Sequence, residues 1–145
     1  MRTVALSLAL LLAVSAFAAG DLLTPADVEK AGALTGVHKV AKNSSPDAGG
    51  ELNFAGKDGK LVAIVMISPS MYDYWKKRYT KSSEAVSGVG EEGFRSKKTA
   101  STQFVFFRKK GTGVWVQSMG WRGDGSPTLT TAQLTELAKL AALRL

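Results

Sequence analysis

Residues Leu61 to Ile67 read Leu-Val-Ala-Ile-Val-Met-Ile, with no polar residue to break the run. The run is rich in β-branched side chains. Asp58 and Gly59 stand before it, and Ser68 and Pro69 follow. Such a short, unalternating apolar stretch predicts a central strand covered on both faces. The chain must therefore build a sheet around Lys60–Ile67. Gly49 to Ala55 predicts a weaker strand before it, with Lys57-Asp58-Gly59 as the hairpin turn. Further on, Ser101 to Arg108 and Val114 to Trp121 predict two strands joined through Lys109-Lys110-Gly111-Thr112-Gly113, and Phe94 to Lys98 another just before them. Strands joined by tight turns pair antiparallel.

Three segments read as helices. Leu23-Thr24-Pro25-Ala26-Asp27-Val28 places Thr24 as N-cap, Pro25 at the first helical position and Asp27 as the reciprocal cap. Leu23 can staple onto Val28, and Gly32 or Gly36 ends the helix. The C-terminal segment repeats the device with Leu129, Thr130, Gln133 and Leu134. Leu134, Leu137, Ala138, Ala141 and Leu145 then form a core-facing stripe, widened by Leu140 and Leu143. The middle helix runs from Met71 to Tyr79, capped by Ser68 or Ser70. Met71, Tyr72, Trp75 and Tyr79 lie on one of its sides. Asn43 to Gly50 and Gly123 to Thr128 are loops by composition. The expectation is one α+β domain over residues 19–145. It holds an antiparallel sheet of about four to five strands with the helices on one face.

The first residues bear on location. Arg2 precedes an apolar run of about 11 residues, Val4 to Val14, where a bilayer-spanning helix needs about 20. Ala16-Phe17-Ala18 then sets small residues where a signal peptidase reads. This is the three-part order of a secretory signal peptide over residues 1–18, with Ala19 as the first mature residue. The expected address is periplasmic or secreted, with no transmembrane segment after cleavage. The short basic start and alanine-rich cleavage site point to a bacterium.

Several chemistries are excluded outright. The chain has no cysteine, so it holds no disulfide, thiolate metal site, cysteine nucleophile or lipidated cysteine. His38 is its single histidine, which excludes a multi-histidine metal site.

Four pieces together resemble small secreted bacterial domains of uncharacterised function, found among exported proteins, lipoproteins and extracellular sensor domains. They are the Leu23-Thr24-Pro25-Ala26-Asp27-Val28 start, the Gly88-Val89-Gly90-Glu91-Glu92-Gly93-Phe94 turn, the Phe106-Phe107-Arg108-Lys109-Lys110-Gly111 hairpin and the Leu-rich last helix. The resemblance implies an antiparallel sheet packed on helices and a non-catalytic role. Lipoprotein members carry a lipidated cysteine, so tethering does not transfer to this chain, and no functional residue transfers either.

Gly88-Val89-Gly90-Glu91-Glu92-Gly93 has the spacing of a dinucleotide-binding loop but lacks its context. A polar stretch precedes it, no helical pattern follows, and Glu91 and Glu92 would face a phosphate. It reads as a tight turn with Phe94 plugging the core, and no cofactor is expected. Arg122-Gly123-Asp124 reads as an exposed turn rather than an adhesion motif, and Asn43-Ser44-Ser45 as an incidental sequon. Asp73, Glu91, Glu92, Asp124 and His38 are the candidate acids and base, and no spacing links them.

The usable signal is basic charge. The formal net charge is +7, clustered in Lys76-Lys77-Arg78 with Lys81, in Arg95 with Lys97-Lys98, and in Arg108-Lys109-Lys110. Even spacing places Trp115 and Trp121 on one strand face. The candidate surface for an anionic partner is Lys76, Lys77, Arg78, Arg108, Lys109 and Lys110, with Trp115 and Trp121 adding apolar contact. The expected function is a non-enzymatic binding or accessory domain of the cell envelope, engaging an anionic component or a partner protein. Nucleic acid is not expected at that address. The alternative is a small exported hydrolase whose site is assembled from dispersed acidic residues.

Overall fold

The computed structural model describes residues 22–40 and 50–145; the predicted signal sequence with its cleavage site, and the loop over 43–49, lie outside them. In chain order the elements are α1 (Pro25–Gly32), β1 (His38–Val40), β2 (Glu51–Ala55), β3 (Leu61–Ser68), α2 (Tyr72–Tyr79), β4 (Ser83–Ala85), β5 (Glu92–Ser96), β6 (Phe104–Lys109), β7 (Thr112–Ser118) and α3 (Thr131–Arg144). The fold is a single α+β domain. Its seven strands form one sheet in the order β1-β2-β3-β7-β6-β5-β4, and every neighbouring pair is antiparallel. The expectation of about four to five strands falls short because β1 and β4 are three-residue edge strands, too short and too exposed to show alternation. The middle place belongs to β7, with the apolar run of β3 beside it.

The tight turns act as expected. Gly59 takes φ +77 in the β2–β3 hairpin, where its amide bonds Gly56 O at 2.9 Å. In the β6–β7 hairpin Lys109 pairs with Thr112, leaving Lys110 and Gly111 as a two-residue turn with φ +48 and +74. Two positive φ values match the right-handed twist of the strands they join.

Helices lie on both faces of the sheet, not on one. Val105, Phe107, Val114 and Val116 face the main core with Val28 of α1 and Leu134, Leu137 and Ala141 of α3. Phe104, Phe106 and Trp115, one residue out of step, face Tyr72 and Trp75 of α2. The reason is visible in β6, where Phe104-Val105-Phe106-Phe107 is apolar at every position and needs cover on both sides. The α2 connection crosses over the sheet from β3 to the far-edge strand β4 and supplies that cover.

Both predicted capping boxes are present. Thr24 caps α1 with Asp27, and Thr130 caps α3 with Gln133. Leu143, expected to widen the apolar stripe of α3, is instead 80% exposed. The start of α2 differs more. Met71 stands at its N-cap in helical conformation with no side-chain bond, and Ser68 Oγ only accepts from Ser70 N at 3.4 Å. This helix is held by its buried rings rather than by a cap. Among the described residues no helix is long and apolar enough to cross a membrane.

The cap of α1 is also clamped to the end of α3. Arg144 Nη1 and Nη2 donate to the two Asp27 carboxylate oxygens at 2.6 and 3.1 Å. The Arg144 hydrogen bond is the main cause that lowers the Asp27 pKa from 3.8 to about 2, against the opposing effect of burial. A depressed folded pKa stabilises above the unfolded value, and that stabilisation is lost as pH falls through the folded one. The gap is worth about 2 kcal/mol. We expect Asp27→Asn to lower stability at pH 6 and to flatten the loss of stability between pH ~4 and ~2. Urea unfolding across that range measures both effects.

Candidate functional site

The sequence of α2 divides its surface. Tyr72 and Trp75 are buried and Tyr79 half-buried, at three- and four-residue steps, so that side meets the sheet. The remaining residues face solvent. Tyr74, Lys77 and Lys81, the last just past the helix end, form an outward arc together with Asp73, and Met71 and Arg78 border it on the side next to Trp75. Tyr74 is 53% exposed and Met71 37%. The inner side is rigid. Trp75 and Tyr79 lie 5.5 and 4.9 Å from the Trp115 ring, and Tyr72 lies 5.7 Å from Phe106.

The adjacent lysines Lys76 and Lys77 have different fates. Lys76 Nζ reaches Glu92 Oε1 on β5 at 2.5 Å and lies over the Phe94 ring. Arg108 Nη2 reaches the other oxygen of Glu92 at 3.4 Å and lies over Tyr72. The Lys76 hydrogen bond, then the charges of Lys76 and Arg108, hold the Glu92 carboxyl below its ordinary range. Burial and the nearby Glu92 charge push the Tyr72 hydroxyl pKa up. Lys76 and Arg108 thus share one side of the sheet, but one carboxylate occupies both.

The hairpin tip goes elsewhere. Lys109 Nζ donates to Ala142 O, and Lys110 Nζ to Leu145 O at 2.7 Å. Ala142 lies in the last turn of α3 and Leu145 is its C-cap, so both cations sit at the negative end of the helix dipole. Strand alternation sends Arg108 toward α2 and Lys109 toward α3.

Trp115 and Trp121 do not belong to one strand. Trp115 is 3% exposed, stacked on Phe104 and Phe106, with its indole N–H donating to Gln117 Oε1 at 2.9 Å. Trp121 is 59% exposed and lies beyond the end of β7. Gly120, at φ +74, turns the chain between them, so even spacing no longer fixes a face.

Among the described residues Lys77, Arg78, Lys81 and Lys98 pair with no carboxylate. Lys97 Nζ bonds Lys81 O at 3.0 Å, which brings the Lys97-Lys98 cluster beside the end of α2. Sequence reasoning placed Lys77 and Arg78 in the candidate surface but left out Met71 and Tyr74. A helical wheel centred on Tyr72, Trp75 and Tyr79 puts Tyr74 on the outward side and Met71 at the border of the buried side, where it is 37% exposed.

The acidic candidates are separated. Glu91 Oε1 accepts from Lys110 N at 3.0 Å while Glu92 turns to Lys76. Asp124 Oδ1 accepts from the Ser126 hydroxyl and amide at 2.6 and 2.9 Å, which holds its carboxyl low. His38 is exposed, its Nδ1 3.2 Å from Gly36 O. Among the described residues no three His, Asp or Glu side chains are grouped to hold a metal ion. The Arg122 side chain bonds Gly32 O and Thr128 O, tying the Arg122-Gly123-Asp124 turn into the fold. The glycine-rich loop leads into a strand, β5, rather than a helix. Its core plug is Val89, 1% exposed, while Phe94 stacks on Phe106 on the α2 side. No family model, no curated protein and no solved structure matches the chain.

Proposed function

We propose that the chain is an exported, non-enzymatic binding or accessory domain of the bacterial cell envelope, and that it engages an anionic component through the outward arc of α2. One observation carries this reading. Among the described residues Lys77, Arg78 and Lys81 lie on or beside that arc without a carboxylate partner, whereas Lys76 and Arg108 share the carboxylate of Glu92, and Lys109 and Lys110 are held at the end of α3. Unpaired exposed cations project their field into solvent and attract anions. The Debye length is ~30 Å at 0.01 M salt and ~8 Å at 0.15 M, so the attraction must fade between them.

The test is co-sedimentation with anionic phospholipid vesicles, alongside binding to a long-chain polyphosphate, at both salt levels. At least one probe should bind at low salt and be released at high salt. Lys77→Gln with Arg78→Gln should weaken that binding, while Lys110→Gln should leave it in place. Failure to bind either probe at low salt, or binding insensitive to salt and to the double substitution, overturns the reading.

A further inference from the structure

Resting on that reading, we infer that the arc of α2 is a docking surface for an anionic lipid bilayer, with the helix lying flat and Met71 and Tyr74 set among the headgroups. Four large hydrophobic side chains are exposed among the described residues: Met71, Tyr74, Trp121 and Leu143. Tyr74 lies on the same arc as Lys77 and Lys81, and Met71, the N-cap three residues before it, borders that arc beside Arg78. A soluble polyanion satisfies the cations but offers nothing to Met71 and Tyr74. A bilayer interface satisfies both. Its phosphates take Lys and Arg, its headgroup layer favours Tyr, and the acyl boundary accepts the Met side chain.

Among the described residues α2 is the only helix on its sheet face, so no other helix covers its outward side. Its inner side is fixed by Phe104, Phe106 and Trp115, so docking orders little that is not already ordered. Of the nearby acids, Glu92 is covered by Lys76 and Arg108, and Asp73, on the arc itself, is outnumbered by Lys77, Arg78 and Lys81. The helix has 8 residues, so contact is shallow and reversible and depends on anionic lipid.

The chain has no cysteine, so single introduced thiols can be labelled cleanly. The mature domain would carry a polarity-sensitive fluorophore at Tyr74→Cys or at Leu143→Cys, the latter exposed on α3 across the sheet. Vesicles of mixed phosphatidylglycerol and phosphatidylcholine should blue-shift the label at position 74 and leave that at 143 unchanged. Vesicles of phosphatidylcholine alone should shift neither. In partition assays Lys77→Gln with Arg78→Gln should weaken binding roughly 25-fold, each charge near the surface being worth about five-fold. Met71→Ser and Tyr74→Ser should each weaken it by about five-fold with thermal unfolding unchanged. Bound anionic vesicles with no shift at 74, or a shift at 143, overturn the lipid inference. Tight polyphosphate binding that ignores both serine substitutions does the same while leaving the basic-surface reading intact. No binding to either probe removes both.

Discussion

Phe106→Ala is expected to cost about 4–5 kcal/mol, at the upper end for a buried Phe. Phe106 is fully buried on β6, at the meeting point of five other rings. Trp115, Phe94 and Phe104 stack with it at centroid distances of 5.5, 5.4 and 5.7 Å, and Tyr72 and Trp75 meet it edge-on at 5.7 and 6.5 Å. Removing the ring leaves a cavity that these neighbours cannot close, because strands β5, β6 and β7 fix three of them. Edge and stacked ring pairs add about 0.5–1.5 kcal/mol each beyond area, which is why the upper end applies. A domain of ordinary stability has about 5–15 kcal/mol in all, so this change alone removes about a third of it or more. Tyr74→Ala, on the outward side of the same helix, should stay within about 0.5 kcal/mol. Urea unfolding compares the two, and near-UV circular dichroism should lose ring signal only for Phe106→Ala. A cost no greater than that of Tyr74→Ala would mean that α2 does not pack on this strand. Where the protein still folds, vesicle binding should fall with the ring signal although no outward residue has changed. The arc is a platform only while its inner side is anchored.

How far the residues foretold this arrangement depends on the distance over which each feature is decided. The capping boxes at Thr24 and Thr130 and the two hairpin turns are settled within four or five residues, and they form as their local chemistry requires. The face of the sheet taken by α2 is not local. Nothing within Tyr72–Tyr79 says which side its rings will meet; that is decided by the unbroken apolar run of β6, some thirty residues later, which leaves two faces to cover. The candidate surface shows the same limit. Lys76 and Lys77 are chemically alike, and Glu92 from β5 separates them by pairing with one. Lys109 and Lys110 resemble free cations until the end of α3 arrives beside them. Strand parity extends to Trp115 but not to Trp121, because β7 ends at Ser118 before the spacing is complete.

Gly90→Ala is the second large effect, and it bears on the one motif whose spacing suggested a nucleotide. In a dinucleotide loop the glycines make room for a pyrophosphate. Here Gly90 makes room for the protein itself. A Cβ at this position would stand 2.5 Å from Arg108 O and 2.9 Å from the Phe107 ring. The backbone cannot retreat, because Glu91 N donates to the same Arg108 O at 2.8 Å and β5 pairs with β6 from Glu92 onward. The residue also holds φ +64, which costs a non-glycine roughly 1–2 kcal/mol. Overpacking against fixed neighbours adds about 1–3 kcal/mol, for a total of about 2–5 kcal/mol. Gly88 is the natural control. Its φ is +75, but its nearest contact would be the flexible end of Lys139 at 4.0 Å. Gly88→Ala should therefore cost only the backbone part, about 1–2 kcal/mol. Thermal or urea unfolding of the two variants ranks them directly. If Gly88→Ala proves equal to or worse than Gly90→Ala, the contact with Arg108 is not what the glycine serves. The predicted order makes the loop a seam between β5 and the β6–β7 hairpin, and Arg108, one strand of that seam, is the residue that helps Lys76 neutralise Glu92 beneath α2.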